Sequence, residues 1–453
     1  MLKKFLIDNK MTAYADIRLK NETVLKLFNR FTFKTSSLEI KEGTALSFVI
    51  GNVEIPCIPE GCEYSLVISE NGVAIVGRDY CALMRGFFSM LMKIERKMGK
   101  KELFLSCVIE NKSYAIKNRM VHLCIFPETT LLDLKKYIRL FAMLQYTHVV
   151  LEFWGSLKFD TLSALAWENA YTKNEIKEVI KEAKFLGIEP IPMFNSLGHA
   201  SCSRSYGGKH TALDNDLSLY HLFTPDGWAW DLENEEVWTL LKNLRRELYE
   251  VFEGCEYFHL GFDESHIHNT NVELCKRLPY YMSRLTKEVQ LEGKRPMIWM
   301  DMILPPDAFL NMQGNLHSVK SKEDCISIIK GLADNTVYID WEYSVKHTPI
   351  SSVIYYKDLG IDIMGAPWFD VENASAHIDT VKNNDLFGIM QTTWHTISSS
   401  LHNTISIAKK LGATLPVWEK ESRPETITAT LLRCLTYEKA DYPSFGWVKK
   451  QID

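Results

Sequence analysis

From residue 118 onward, short apolar runs alternate with stretches whose apolar residues recur every three or four positions. The first pattern suits buried strands and the second suits amphipathic helices. Eight apolar runs stand out: Met120–Ile125, His148–Phe153, Glu189–Phe194, Tyr257–Phe262, Pro296–Met302, Thr336–Trp341, Ile361–Pro367 and Phe387–Trp394. Helical patterns separate them. One opens at Thr172-Lys173-Asn174-Glu175, a capping box ahead of Ile176, Val179, Ile180 and Ala183. Another passes through Val237, Leu240, Leu241, Leu244, Leu248 and Val251. Strands and helices in alternation imply a parallel sheet of βα units, and eight strands predict an α/β fold of the (β/α)8 TIM-barrel type. A doubly wound open sheet satisfies the same count.

Before residue 114 the pattern differs. Tyr64–Ile68 and Val73–Val76 flank Ser69-Glu70-Asn71-Gly72, and Asn-Gly between such runs signals a hairpin. Tyr80–Lys97 has helical periodicity, and Leu103–Ile109 reads as a further strand. Residues 1–113 are therefore expected to form a small α/β domain, and residues 114–453 a barrel with C-terminal helices.

Composition narrows the function. Over 453 residues the net charge is −5 and no long basic run appears, which gives nucleic acid no electrostatic footing. No stretch has the length of a membrane span, and Asp8, Asn9 and Lys10 interrupt the N-terminal apolar residues at once. A cytoplasmic protein without a membrane partner is the expectation. The 10 cysteines lack metal-type pairing and read as free thiols.

The fourth run carries the chemistry: His259-Leu260-Gly261-Phe262-Asp263-Glu264. Side chains alternate along a strand, so His259, Gly261 and Asp263 share the face toward the barrel axis. Asp263 and Glu264 fall at the strand's C-terminal end, where barrel active sites lie. Glu264 reaches the mouth only if the chain bends there. Two carboxylates at one site suit glycoside hydrolysis, one protonated for the leaving oxygen and one charged. Taken alone, the pair also fits a helix N-cap followed by a first-turn acid.

The stretch resembles the His-x-Gly-Gly-Asp-Glu motif of family 20 glycoside hydrolases, the β-N-acetylhexosaminidases, with Phe262 at the second Gly. The resemblance extends over most of the chain. Asn118-Arg119-Met120 looks like the family's first barrel strand, and Ile191 to His199 like the third, ending in a Gly-His pair. It implies a retaining exo-glycosidase that releases terminal β-linked N-acetylhexosamine and needs no cofactor or metal. Its partner would be an amino-sugar glycoside or oligosaccharide. The substrate's own acetamido oxygen would attack the anomeric carbon and form an oxazolinium. Glu264 would be the general acid, and Asp263 would orient the acetamido N–H. Arg119 would grip sugar hydroxyls, or serve as a structural ion-pair partner. His199 would support the acids, and His259 would brace the site from below. Trp299, Trp341, Trp368 and Trp394 would line the sugar pocket with Asp301. Tyr343 would meet the acetamido carbonyl, with Tyr338 and Tyr355 as alternatives.

Two departures from the family pattern stand out. Cys124 lies near a first-strand Asp of larger members, and Trp394-His395-Thr396 lacks the acid that follows their last-strand Trp. Support of the catalytic acid, and preference between gluco and galacto sugars, are therefore expected to be built differently, with room for a 6-sulfated sugar. Two other readings compete. One is a metal-dependent hydrolase using His259, Asp263, His266 and His268. The other is a carbohydrate-binding protein without catalysis.

Overall fold

The computed structural model describes residues 3–7, 10–15, 27–28, 37–40, 46–50, 58–96, 102–201, 209–305, 308, 321–394, 397–417 and 423–436. The chain divides into two compact units. One comprises residues 1–112, 130–140 and 416–453, and the other residues 113–129 and 141–415.

The first unit carries two sheets. Strands β1 (Lys4–Ile7), β2 (Lys10–Ala15), β3 (Ser37–Ile40), β4 (Leu46–Ile50), β5 (Tyr64–Ser69), β6 (Gly72–Gly77), β7 (Glu95–Arg96), β8 (Leu103–Ser106) and β9 (Val108–Lys112) are arranged as β3-β2-β4-β6-β5-β9 and β1-β8-β7. β5 and β6 are the Asn-Gly hairpin, antiparallel from Tyr64↔Gly77 to Ser69↔Gly72. The helix Tyr80–Met92 starts where Asp79 accepts from the Ala82 N–H. It ends earlier than its periodicity suggests, because Glu95–Arg96 pairs with β8 instead. The single strand expected over 103–109 is two strands in different sheets. β8 pairs with β1 and β9 with β5, and the chain changes sheet at Cys107.

The second unit is a closed barrel of eight parallel strands: β10 (Asn118–Ile125), β11 (His148–Phe153), β12 (Glu189–Met193), β13 (Tyr257–His259), β14 (Arg295–Trp299), β15 (Val337–Asp340), β16 (Asp362–Gly365) and β17 (Gly388–Gln391). Closure of β17 onto β10 runs from Asn118↔Gly388 to Val121↔Gln391 and decides against the open sheet. The helix Lys173–Phe185 begins with the expected capping box, Thr172 and Glu175 each satisfying the other's backbone N–H. Between β15 and β16 the described connection holds only a 3-10 turn, Lys357–Leu359, rather than a full helix.

Most barrel strands stop one to three residues short of the apolar runs that announce them. The runs continue as non-extended chain at the C-terminal mouth, and those last residues carry the chemistry. No helix among the described residues is long and apolar enough to cross a membrane. The eight described cysteines are all free.

Candidate active site

β13 stops at His259, and the chain then turns sharply. Gly261, Phe262 and Glu264 have φ of 75°, 83° and 48°. Gly261 must be glycine here, since a Cβ would lie 2.9 Å from the Asn195 side-chain amide and 3.2 Å from its Cα. Phe262 holds a left-handed conformation without that freedom, a strained feature of the kind that surrounding contacts must impose. Those contacts are specific. His259 Nδ1 accepts from the Gly261 N–H at 3.0 Å, the Gly261 carbonyl accepts from Trp299 N at 2.9 Å, and the Leu260 carbonyl from Ser196 N at 2.9 Å. The bend swings Glu264 out of the strand's alternation, so adjacent acids reach one site. Asp263 is buried, while the Glu264 side chain stays 29% exposed.

The Gly198-His199 pair belongs to the same construction. A Cβ on Gly198 would sit 2.4 Å from the Asp263 carbonyl oxygen, so only glycine lets the two loops approach. His199 then places Nε2 3.2 Å from Asp263 Oδ2 and 3.1 Å from Glu264 Oε2. Burial and Lys209 push the His199 pKa down, but Asp263 and Glu264 prevail and raise it to about 9. The ring is therefore an imidazolium at neutral pH, bridging both acids.

Beneath Asp263 lies a buried charge network. Lys209 Nζ is 3.3 Å from Asp263 Oδ2 and 3.0 Å from Glu152 Oε1. The Asn195 amide satisfies its neighbours when its nitrogen faces Glu152 Oε1 at 2.6 Å and its oxygen accepts from Lys209 at 3.0 Å. Glu152 Oε2 meets His122 Nε2 at 3.0 Å and accepts from Trp154 Nε1 at 2.9 Å and Cys124 Sγ at 3.4 Å. Cys124 and Glu152 are register partners across β10 and β11. Burial alone would raise the Asp263 pKa, but Lys209 and His199 hold it well below the usual carboxylate range. Asp263 is a permanent anion.

The opposite side is aromatic. Trp299 is fully buried, with its ring 5.6 Å from Trp394 and 4.7 Å from His259. Tyr343 stands between Trp341 at 5.4 Å and Trp368 at 5.5 Å. Its hydroxyl accepts from Trp394 Nε1 at 2.7 Å and lies 3.2 Å from Thr392 Oγ1. Thr392 already donates to the Pro367 carbonyl, so the phenolic proton is the one available for that contact or for a ligand oxygen. Burial holds the phenol protonated far above its ordinary range.

Two residues assigned to sugar contact do other work. Arg119 is the second residue of β10, at the barrel's N-terminal end, opposite the mouth. It donates to the carbonyls of Gln145 at 3.2 Å, Ile116 at 2.8 Å and Lys117 at 3.1 Å and lies over the Tyr114 ring, so it is a buried brace. A charge at a strand's start points away from a site built at strand ends. Asp301 is also buried. Its Oδ2 accepts from the Glu264 backbone N–H at 2.9 Å and its Oδ1 from Trp341 Nε1 at 3.2 Å, which makes it a positioning residue for the acid. Burial and the Asp263 charge raise its pKa to about 8.

The four residues of the metal reading are not gathered. His259 serves Gly261, His268 pairs with Ser265 at 2.7 Å, and His266 is exposed beside Trp228. The one candidate trio among the described residues is His122, Cys124 and Glu152. It does not fit a cation: Lys209 already supplies the positive charge there, and both Glu152 oxygens are engaged. His395 and Thr396 lie outside the described residues. Lys209, Glu152, Asn195 and Trp228 were not foreseen. Trp228 donates Nε1 to the Glu264 carbonyl at 2.7 Å and packs 4.6 Å from the His199 ring.

Comparison with known proteins agrees with this fold. The model of the glycosyl hydrolase family 20 catalytic domain matches residues 145–398. The lacto-N-biosidase of Bifidobacterium bifidum is 24% identical over 260 residues, 53% of this chain, which spans only 22% of that relative's length. The exo-β-N-acetylglucosaminidase of Vibrio harveyi, solved with N-acetylglucosamine, superposes with a TM-score of 0.68 at 15% identity, covering 96% of this chain and 76% of that one. The N-acetyl-β-hexosaminidase of Streptomyces plicatus gives 0.68 at 15% identity, with 98% and 94% covered. These likenesses establish the shared fold, and the matched family model spans more than half of the sequence. The chain belongs to glycosyl hydrolase family 20.

Proposed function

We propose that the protein is a retaining exo-β-N-acetylhexosaminidase that uses its substrate's acetamido group as the nucleophile. The observation that carries this reading is the different burial of the adjacent acids 263 and 264. Asp263 is buried and anionic, and Glu264 is partly exposed 3.1 Å from the His199 imidazole. A nucleophilic carboxylate would need access to the anomeric carbon. In this reading Asp263 accepts the acetamido N–H and stabilises the positive charge that develops on it.

In the first step the acetamido oxygen forms a bond to C1 as the C1–O bond breaks, and Glu264 in its acid form gives its proton to the departing oxygen. In the second, water attacks C1, Glu264 takes the water's proton, and the oxazolinium reopens. Configuration is retained after two inversions. The Tyr343 hydroxyl donates a hydrogen bond to the acetamido oxygen. Trp341, Trp368 and Trp394 enclose the methyl group and stack on the sugar ring, with the buried Trp299 packed against Trp394.

The test is release of 4-nitrophenol from its N-acetyl-β-D-glucosaminide and N-acetyl-β-D-galactosaminide. Glu264→Gln should lower kcat roughly 10²–10⁴-fold, the usual worth of general acid catalysis. Equal turnover in wild type and variant would remove Glu264 from this role. Binding of N-acetylglucosamine without any hydrolysis would favour a sugar-binding protein.

A further inference from the structure

The reaction above leaves a buried cation unaccounted for. Lys209 has a side chain only 1% exposed. Its ammonium lies 4.8 Å from the Trp394 ring and 5.6 Å from that of Trp154. Desolvating an ammonium is expensive, and one persists in an interior only where anions and hydrogen bonds compensate it. Glu152 alone would balance a single charge, yet Lys209 also reaches Asp263. Lys209 and His199 both address the same Asp263 oxygen, Oδ2. Two cations on one oxygen fix the carboxylate's rotation. With the Asn195 amide turned toward Glu152, Oδ1 remains for a donor from the substrate.

We propose that Lys209 is a positioning residue for hydrolysis, holding the Asp263 carboxylate ionised and turned so that Oδ1 meets the acetamido N–H. The proposal rests on the hexosaminidase reading. The charged and titratable groups around Asp263 are Lys209 and His199 on the positive side, Glu152 and Glu264 on the negative side, Asp301, which turns negative only through its raised pKa of about 8, and a neutral His259. His199 is shared with Glu264 and loses its charge near its raised pKa of about 9, whereas Lys209 keeps its own well beyond that.

The experiment compares wild type with Lys209→Met, Glu152→Gln and the double variant. Asp263 is titrated by carbon-13 NMR of protein labelled at the Asp carboxyl carbons, with Asp263→Asn for assignment. The pH profile of kcat/KM on 4-nitrophenyl N-acetyl-β-D-glucosaminide is measured alongside. The double variant removes one charge of each sign. In it the Asp263 midpoint should rise by about one pH unit or more, and the acid limb of kcat/KM should move up with it. Glu152→Gln alone removes only a negative neighbour and should leave the midpoint unchanged or lower. A double variant with the wild-type midpoint would mean that Lys209 merely balances Glu152, which overturns the proposal. So would a wild-type Asp263 titrating in the ordinary carboxylate range, a result that needs neither the Lys209 nor the Glu152 variant to fold. The NMR measurement decides even if wild type hydrolyses nothing, the outcome that would defeat the hexosaminidase reading instead.

Discussion

In the proposed reaction the Glu264 side chain moves the proton, and its main chain is held by a second acid. Asp301 accepts from the Glu264 N–H and the Trp341 indole, one on each oxygen. Asp301→Asn would turn an NH2 toward one of those donors. Glu264 or Trp341 would shift, and kcat should fall roughly 100-fold with little change in thermal unfolding temperature, the usual effect of a small misplacement. Unchanged kcat would show that the Glu264 backbone needs no such anchor. Asp263, Glu264 and the tryptophans were legible as candidates because each falls where an apolar run meets the barrel mouth, and His199 through the resemblance of its Gly-His pair. Lys209 was not. It lies in a polar loop, where a lysine ordinarily reads as solvated, and only the fold brings it against two carboxylates. Arg119 was misassigned because motif resemblance gave it a role without saying which end of the strand it occupies.

Between residues and barrel stand two loops that touch backbone to backbone. The Gly198 loop approaches the Asp263 carbonyl so closely that an added methyl would sit at 2.4 Å. Neither partner is a flexible side-chain end, so the loops must separate. Gly198→Ala should cost about 1–3 kcal/mol of stability, read by denaturant unfolding. It should also lower kcat/KM more than that loss of folded protein explains, because His199 moves off both acids. A variant with wild-type kinetics would break the link between that contact and the site. The elements themselves were well announced by the pattern: the Asn-Gly hairpin, the capping box at Thr172 and eight strand runs. Strand ends were not. Apolar character continues past the last ladder bond, and nothing in a single sequence distinguishes a buried strand residue from a buried mouth residue. The split of 103–112 into two strands is equally silent, since both halves are plausible β sequence and the change of sheet depends on β1.

Over the whole molecule the buried charges couple stability to pH in two directions. His199 rises from 6.5 to about 9 on folding, and Asp301 from 3.8 to about 8. Groups raised in the fold stabilise it fully below their unfolded values, and that contribution is lost as pH climbs through the folded values. Asp263 and Glu152 are depressed, so their contribution is present above the ordinary carboxylate range and is lost as pH falls below it. The unfolding temperature should therefore decline between pH 7 and 9.5, and His199→Gln should flatten part of that decline. An equally steep decline in the variant would assign the effect to other groups. The eight βα units were legible from alternation, but their closure was not, since an open sheet has the same count and only the pairing of β17 with β10 decides it. The grouping of residues 130–140 and 416–453 with the N-terminal unit was not legible either, because periodicity marks elements and not their neighbours. The claim at the centre of this account is that the substrate supplies the nucleophile, and one series tests it directly. The acetyl group of 4-nitrophenyl N-acetyl-β-D-glucosaminide is replaced by mono-, di- and trifluoroacetyl, which weakens the carbonyl oxygen stepwise with little change in size. With the acetamido oxygen as nucleophile, kcat/KM should fall steeply with each fluorine. A flat series would contradict that claim and would mean that a protein carboxylate or a water attacks the sugar instead.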